Sequence, residues 1–210
     1  MSFWTFLLRN KKQVATPKLT QEEIELSKII QFDEELILEI KKSTGNVIYL
    51  IPEVDEYGET LQTKDEGLCS LAEYRPNHNF VQSQKDRFGA YGYLLFLFQD
   101  SKKLHYLAMI KSQNELDIIR WRQTSAGNYN LKNEDIIAKL TKWKTLFDFS
   151  IIDVGEDYFD LKPISLPSNV DKMSDEMYEF CPDIVDQGFE DIIALKNELQ
   201  QKNILQFWWD

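Results

Sequence analysis

The chain has 210 residues, 43% of them hydrophobic, and a formal net charge of −11. That length and apolar fraction fill either one large or two small domains with a substantial core. The acidic balance excludes non-specific nucleic-acid binding, which needs clustered Lys and Arg on phosphates, and it suits a basic protein partner.

The N-terminal run Phe3-Trp4-Thr5-Phe6-Leu7-Leu8 falls far short of the ~20 residues that span a bilayer. Arg9, Lys11 and Lys12 follow the run instead of preceding it, which is the wrong order for a signal peptide. It reads as a docking arm, with membrane-surface contact as the other reading. Residues 1–20 are therefore assigned to an arm and linker, 21–103 to an N-terminal α+β region, and 104–210 to a C-terminal α+β domain.

Thr20 with Glu23 predicts a capping box, opening one helix or a pair that reaches about Lys42 with Ile24, Ile29, Ile30, Leu36, Ile37 and Ile40 inside. Gly45-Asn46 ends it. Val47–Ile51 reads as a short strand stopped at Pro52, and Glu53–Gly89, poor in periodicity, as long loops around minor elements. His78 falls in that stretch and His105 in a strand, so the two histidines are expected to lie apart. That argues against a His-based triad or a two-His metal site.

Tyr91–Phe98 and Leu104–Ile110 are predicted strands joined by a hairpin at 99–103. A short element through Leu116, Ile118, Ile119 and Trp121 leads to a turn at Gly127-Asn128. Asn133 is expected to cap a helix with Ile136, Leu140, Trp143 and Phe147 on one face. Phe149–Val154 and Tyr158–Ile164 form a second hairpin. Met173, Met177, Phe180 and Cys181 mark a helix that stops before Pro182. Asp186 is placed to cap the next helix, whose stripe is Phe189, Ile192, Ile193, Leu195 and Leu199. Ile204 to Trp209 closes the chain as a strand.

The last forty residues hold the densest candidate chemistry. Between Lys172 and Lys196 lie seven acidic residues and no basic one: Asp175, Glu176, Glu179, Asp183, Asp186, Glu190 and Asp191. Asp183 with Asp186 offers one reading, oxygen ligands for a hard cation, but the alternating spacing of a calcium loop is missing, and capping plus a solvated acidic face explains the same residues. The candidate functional surface is Glu179, Asp183, Asp186, Gln187, Trp208, Trp209 and Asp210, with no metal and no cofactor assigned to it. Cys181 is read as a small buried hydrophobe, not a nucleophile. With only Cys69 beside it, disulfides and zinc are not indicated, and a reducing, cytoplasmic compartment follows. Trp208 and Trp209 alternate faces in a strand. Asp210, too costly to bury unpaired, is expected at the surface or against Arg120 or Arg122.

Phe180-Cys181-Pro182-Asp183, Asp186-Gln187-Gly188 and Trp208-Trp209-Asp210, in that order, resemble the bacterial family known as domain of unknown function 4253. Asp117-Ile118-Ile119-Arg120, Thr124, Gly127-Asn128-Tyr129, Glu134-Asp135, Leu140 and Trp143 extend the likeness over roughly 104–210. Phe189 departs from it, since members place a small hydroxyl residue after the Gln-Gly pair. The resemblance implies a domain boundary and candidate residues but no activity.

The fold class expected is α+β, with a C-terminal ferredoxin-like (split βαβ) layer and helices on one face. Residues 21 to about 100 either extend that sheet or form a smaller preceding unit. Two functions compete. One is a non-enzymatic, cytoplasmic interaction protein of adaptor or immunity type with an acidic docking face. The other is a metal-dependent hydrolase or small-ligand-binding module using clustered carboxylates such as Asp183, Asp186 and Asp210.

Overall fold

The computed structural model describes residues 17–55 and 60–210, so the N-terminal apolar run lies outside the described residues. Thr20 opens the first element as expected. Its hydroxyl accepts from the Glu23 amide and the Glu23 carboxylate accepts from the Thr20 amide, starting α1 (Gln21–Ile30). Glu23 also reaches further. It is 3% exposed, pairs with Lys41 of α2 (Glu34–Thr44), and accepts the Ile48 amide at 2.9 Å. Because Glu23, Ser27 and Ile30 form the inward stripe of α1, Ile29, expected inside, is 77% exposed. Gly45 ends α2 with φ +70°, as the sequence predicts.

β1 (Tyr49–Val54) runs through Pro52 instead of stopping there. It is an edge strand of the sheet, the position where a missing amide is tolerated. The stretch expected to be loops holds two long elements, β2 (Thr60–Leu71) and α3 (Tyr74–Ala90). Pro76 lies in the first turn of α3, where an amide has no helical partner in any case. The buried positions of α3 are Asn77, Val81, Lys85 and Phe88. They have helical spacing, but two are polar, so no apolar period reveals the helix.

The chain continues through β3 (Tyr93–Gln99), β4 (His105–Lys111), α4 (Leu116–Arg122), α5 (Asn133–Lys144), β5 (Phe149–Val154), β6 (Tyr158–Pro163), α6 (Val170–Phe180), α7 (Ile192–Gln200) and β7 (Leu205–Trp208). Asn133 is not a cap. It is the buried first residue of α5, and its side-chain amide donates to the carbonyls of Ile119 and Thr124. One seven-stranded mixed sheet has the order β1-β2-β4-β3-β5-β6-β7, so residues 21–103 extend the C-terminal sheet. The fold is α+β. Helices α4 to α7 pack on one face around Trp143, Phe149, Phe159 and Phe207, while α1 to α3 cover the other around Leu36, Ile37, Phe88 and Leu95. The ferredoxin-like order does not appear: β3, from ahead of residue 104, sits between β4 and β5. Among the described residues no helix is long and apolar enough to cross a membrane.

Every neighbouring pair of strands is antiparallel except β3 with β5. That parallel pair is in register only at Leu97 with Asp153 and Phe98 with Val154. Where the two strands draw apart, Lys85 of α3 enters. Its ammonium donates to Leu95 O at 3.2 Å and Ile151 O at 2.6 Å, while Glu115 pairs with Lys85 at 3.1 Å and accepts the Ile151 amide at 2.8 Å. Burial lowers the Lys85 pKa and Glu115 opposes the shift. The pair supplies the hydrogen bonds that a closer partner strand would have made. Lys85→Met leaves Glu115 and two carbonyls without this donor and should cost about 3–5 kcal/mol. Urea unfolding checks this: the midpoint should fall with an unchanged slope.

Candidate functional site

Where it meets β3, β5 changes register against β6. Ile151 faces Leu161 and Asp153 faces Asp160, so Ile152 and Asp153 together oppose one residue of β6. Strict alternation would turn Ile151 and Asp153 to the same face. The bulge turns Asp153 toward α3 instead, beside Asp160.

Both aspartates are buried, at 1% and 2% exposure. Asp153 Oδ1 accepts from the Val154 amide at 2.7 Å and the Tyr158 hydroxyl at 3.3 Å. Asp160 Oδ2 lies 3.3 Å from His78 Nε2 and 3.5 Å from the Tyr74 hydroxyl. The Gln82 amide approaches His78 Nδ1 at 3.2 Å; donation there leaves the His78 proton on Nε2, facing Asp160. On the other side His105 Nε2 stands 3.8 Å from Asp153 Oδ2. The Tyr74 ring bridges the two imidazoles, with centroids 5.2 Å from His78 and 4.8 Å from His105. The histidines expected to lie apart are thus brought to one cluster, because the stretch read as loops is the helix α3 laid across the strand ends.

Asp153 Oδ2 and Asp160 Oδ1 have no hydrogen-bond partner. Burial, then the Asp160 charge, push the Asp153 pKa well above the usual aspartate range. Burial also lowers His105 and raises the Tyr74 and Tyr158 phenols. Asp153, shifted in this way, stands with Asp160 between two imidazoles, an arrangement suited to binding hydrogen-bonding groups or transferring a proton. Among the described residues no group of three or more His, Cys, Asp or Glu side chains is arranged to hold a metal ion.

The C-terminal candidates have other partners. Asp183, 6% exposed, accepts from the Tyr129 hydroxyl at 3.0 Å, the Asp210 amide at 3.0 Å and the Gln187 amide at 3.1 Å. Burial pushes its pKa up, but these bonds outweigh burial and hold it below the ordinary value. Asp186 is not a helix cap. It lies in a π-helical turn, Ile184–Gly188, and accepts from the Tyr178 hydroxyl at 2.9 Å. Asp191 caps α7, whose buried stripe is Leu195 and Leu199, leaving Ile193 62% exposed.

The buried Cys181 thiol lies 3.0 Å from Trp208 O, and burial pushes its pKa up to about 12. Trp209 is buried against Phe159 and Phe180, and its indole donates to Phe180 O at 3.2 Å. Trp208 is half-buried across Gly188, where a Cβ would come within 2.5 Å of its ring. Glu179, Gln187 and Asp210 are exposed. Neither arginine expected near Asp210 is engaged there: Arg120 pairs with Asp117, and Arg122 donates to Gln99 O.

These contacts join the Phe-Cys-Pro-Asp block to the terminal Trp-Trp-Asp block. A family model described as Domain of unknown function (DUF4253) matches residues 106–210. The chain belongs to that family. No curated protein and no solved structure matches it. The DUF4253 match includes Asp153, Tyr158 and Asp160, whereas Tyr74, His78 and His105 precede it. The two aspartates did leave a sequence signal: each interrupts a strand that is otherwise mostly apolar, Phe149–Val154 and Tyr158–Pro163.

Trp209→Ala should cost about 3–5 kcal/mol in urea unfolding, and Trp208→Ala distinctly less; equal losses would contradict the deeper burial of Trp209. The Asp153 proton gives a pH test. Native Asp153 keeps its proton above the ~4 at which an unfolded aspartate releases it. Its contribution to stability is therefore lost as pH rises from there toward the native value. Asp153→Asn does not titrate, so its melting midpoint should gain on wild type between pH 4 and 8. A constant offset would contradict this.

Proposed function

We propose that the protein is a small-ligand-binding module whose binding groups are Asp153 Oδ2 and Asp160 Oδ1, flanked by His78 and His105. The observation that carries this reading is the pair of buried carboxyl oxygens without hydrogen-bond partners, one of them 3.8 Å from His105 Nε2. Such groups are costly in a folded interior, and their persistence at one place calls for a role. The half-buried imidazoles, 16% and 21% exposed at their side chains, connect the aspartates to solvent, with Tyr74 and Gln82 outside them. A fitting ligand carries an N–H or O–H donor for Asp160 and, for Asp153, whose proton burial holds on above the usual aspartate range, a group such as a hydroxyl that can both accept and donate. This relocates the carboxylate-based reading from Asp183 and Asp186, whose carboxylates already accept from neighbouring groups, and from the exposed Asp210, to the strand ends.

The test is a thermal-shift panel of small amines, amides and polyols with wild type, Asp153→Asn and Asp160→Asn. The expected result is at least one compound that raises the wild-type midpoint by several degrees and loses that effect in both variants while their melts stay cooperative. Binding that survives both substitutions, or no binder in the panel, would count against this assignment.

A second reading, the non-enzymatic interaction protein, draws on Asp175, Glu179, Asp186 and Glu190, which are all exposed around α6 and the π-helical turn. It would show as salt-sensitive capture of a basic protein from native lysate, lost on Glu179→Lys with Asp186→Lys.

A further inference from the structure

We infer that the sheet carries, near its β1 edge, a binding site for an organic ammonium group, walled by the rings of Tyr49, Phe98 and Tyr106 and carrying the carboxylate of Asp100. The site follows from strand register. Tyr49 pairs with Cys69, Phe98 pairs with Tyr106, and these residues bound a cavity of about 230 Å³ together with Pro52 and Asp100. Phe98 stacks on Tyr106 at 4.9 Å and 12°, while Tyr49 meets Tyr106 at 6.3 Å and 82°. Tyr49 and Tyr106 are therefore walls set nearly at right angles, and a cation placed between them can face two π systems.

Asp100 gives the corner its charge. Its Oδ1 accepts the amides of Lys102 and Leu104, each at 2.9 Å, and its Oδ2 accepts the Tyr106 hydroxyl at 3.1 Å. These three bonds fix the carboxylate in the β3–β4 turn, and all three donors are neutral; the cation that interacts with it is the buried Arg122 guanidinium, which donates to the neighbouring Gln99 O. The remaining wall chemistry selects among cations. A hard metal ion needs several oxygen ligands, carboxylates foremost, whereas this cavity offers one carboxylate and the Thr63 side chain among aromatic faces, Leu50, Pro52 and the buried Cys69 thiol, whose pKa is driven up by burial. An alkylammonium, weakly hydrated along its carbon surface, matches that mixture. At roughly 30 Å³ per water, the space equals several waters, enough for a small head group. The site is separate from the Asp153–Asp160 cluster, because His105 and Tyr106 are successive residues of one strand and face opposite sides of the sheet.

The experiment titrates tetramethylammonium and n-butylammonium chloride into the full chain, with sodium chloride holding ionic strength constant, and follows backbone amide resonances by NMR. Saturable shifts confined to Tyr49, Cys69, Tyr106 and the 100–104 turn are expected. Tyr49→Leu and Asp100→Asn should each weaken binding about tenfold, Tyr49→Phe should keep it, and Asp160→Asn should leave it unchanged. The Asn side-chain oxygen in Asp100→Asn can still accept the turn amides, so that variant isolates the charge. N-alpha-acetyl-lysinamide, run in parallel, identifies the source. Affinity like that of n-butylammonium assigns the site to lysine side chains of a partner, and binding of n-butylammonium alone assigns it to free amines; either result supports the site. Non-saturable shifts, the same shifts with sodium chloride alone, or wild-type affinity in Tyr49→Leu would overturn it.

Discussion

The parallel junction between β3 and β5 is the constraint on which the rest of the structure depends. Parallel neighbours need a long crossover, and here it runs through β4, α4 and α5 before returning as β5. The two strands are in register over only two residue pairs, so backbone groups on either side of that short contact need other partners. At one end Lys85 and Glu115 supply them. At the other, Arg122 donates to Gln99 O and the Thr124 hydroxyl donates to Gly155 O. The helices that carry these side chains are positioned by the junction and in turn hold it together.

The same junction explains where buried charge collects. Among the described residues, the buried side-chain nitrogen and oxygen atoms without a partner are Arg122 Nη1, Trp143 Nε1, Asp153 Oδ2 and Asp160 Oδ1. All but the tryptophan belong to residues at or beside the carboxyl ends of β3 and β5, the place where open sheets with a parallel pair bring ligands to their strand ends. The bulge at Ile152–Asp153 turns Asp153 toward the N-terminal turns of α3, which add Tyr74 and His78, while His105 of β4 and Tyr158 of β6 complete the cluster. This is the physical basis for assigning ligand chemistry there and not to the acidic run near the C-terminus.

The family signature has a different task. Asp183 receives the Asp210 amide, the Cys181 thiol approaches Trp208 O, Trp209 donates to Phe180 O, and Gly188 makes room for the Trp208 ring. Each block of the signature is thus a partner of another, and together they fasten β7 to the sheet under α6 and the π-helical turn. Motif residues that are separated in sequence but bonded to one another in space account for one another structurally. Glu179, Asp186 and Gln187 remain at the surface, open to a partner.

Where local chemistry sets an element, the sequence alone determined it. The Thr20–Glu23 capping box, the Gly45 turn, the two hairpins, the stop before Pro182, the apolar face of α5 and the final strand all depend on residues within a few positions of one another. The burial of Cys181 was legible for the same reason. Tertiary structure decided the rest. α3 was hidden because Asn77 and Lys85 occupy its buried stripe, and their burial relies on partners outside the helix: Lys85 bonds Leu95 and Ile151, and Asn77 accepts from Ser43 besides donating to Glu73 O. The capping role expected of Asp186 fell to Asp191 because a π-helical turn intervenes. The meeting of His78 with Asp160 and of His105 with Asp153 needed α3 across the strand ends and a bulge in β5. Sequence periodicity reports which side chains prefer to be buried, but the convergence of polar groups depends on where distant strands end, and only the assembled sheet fixes that.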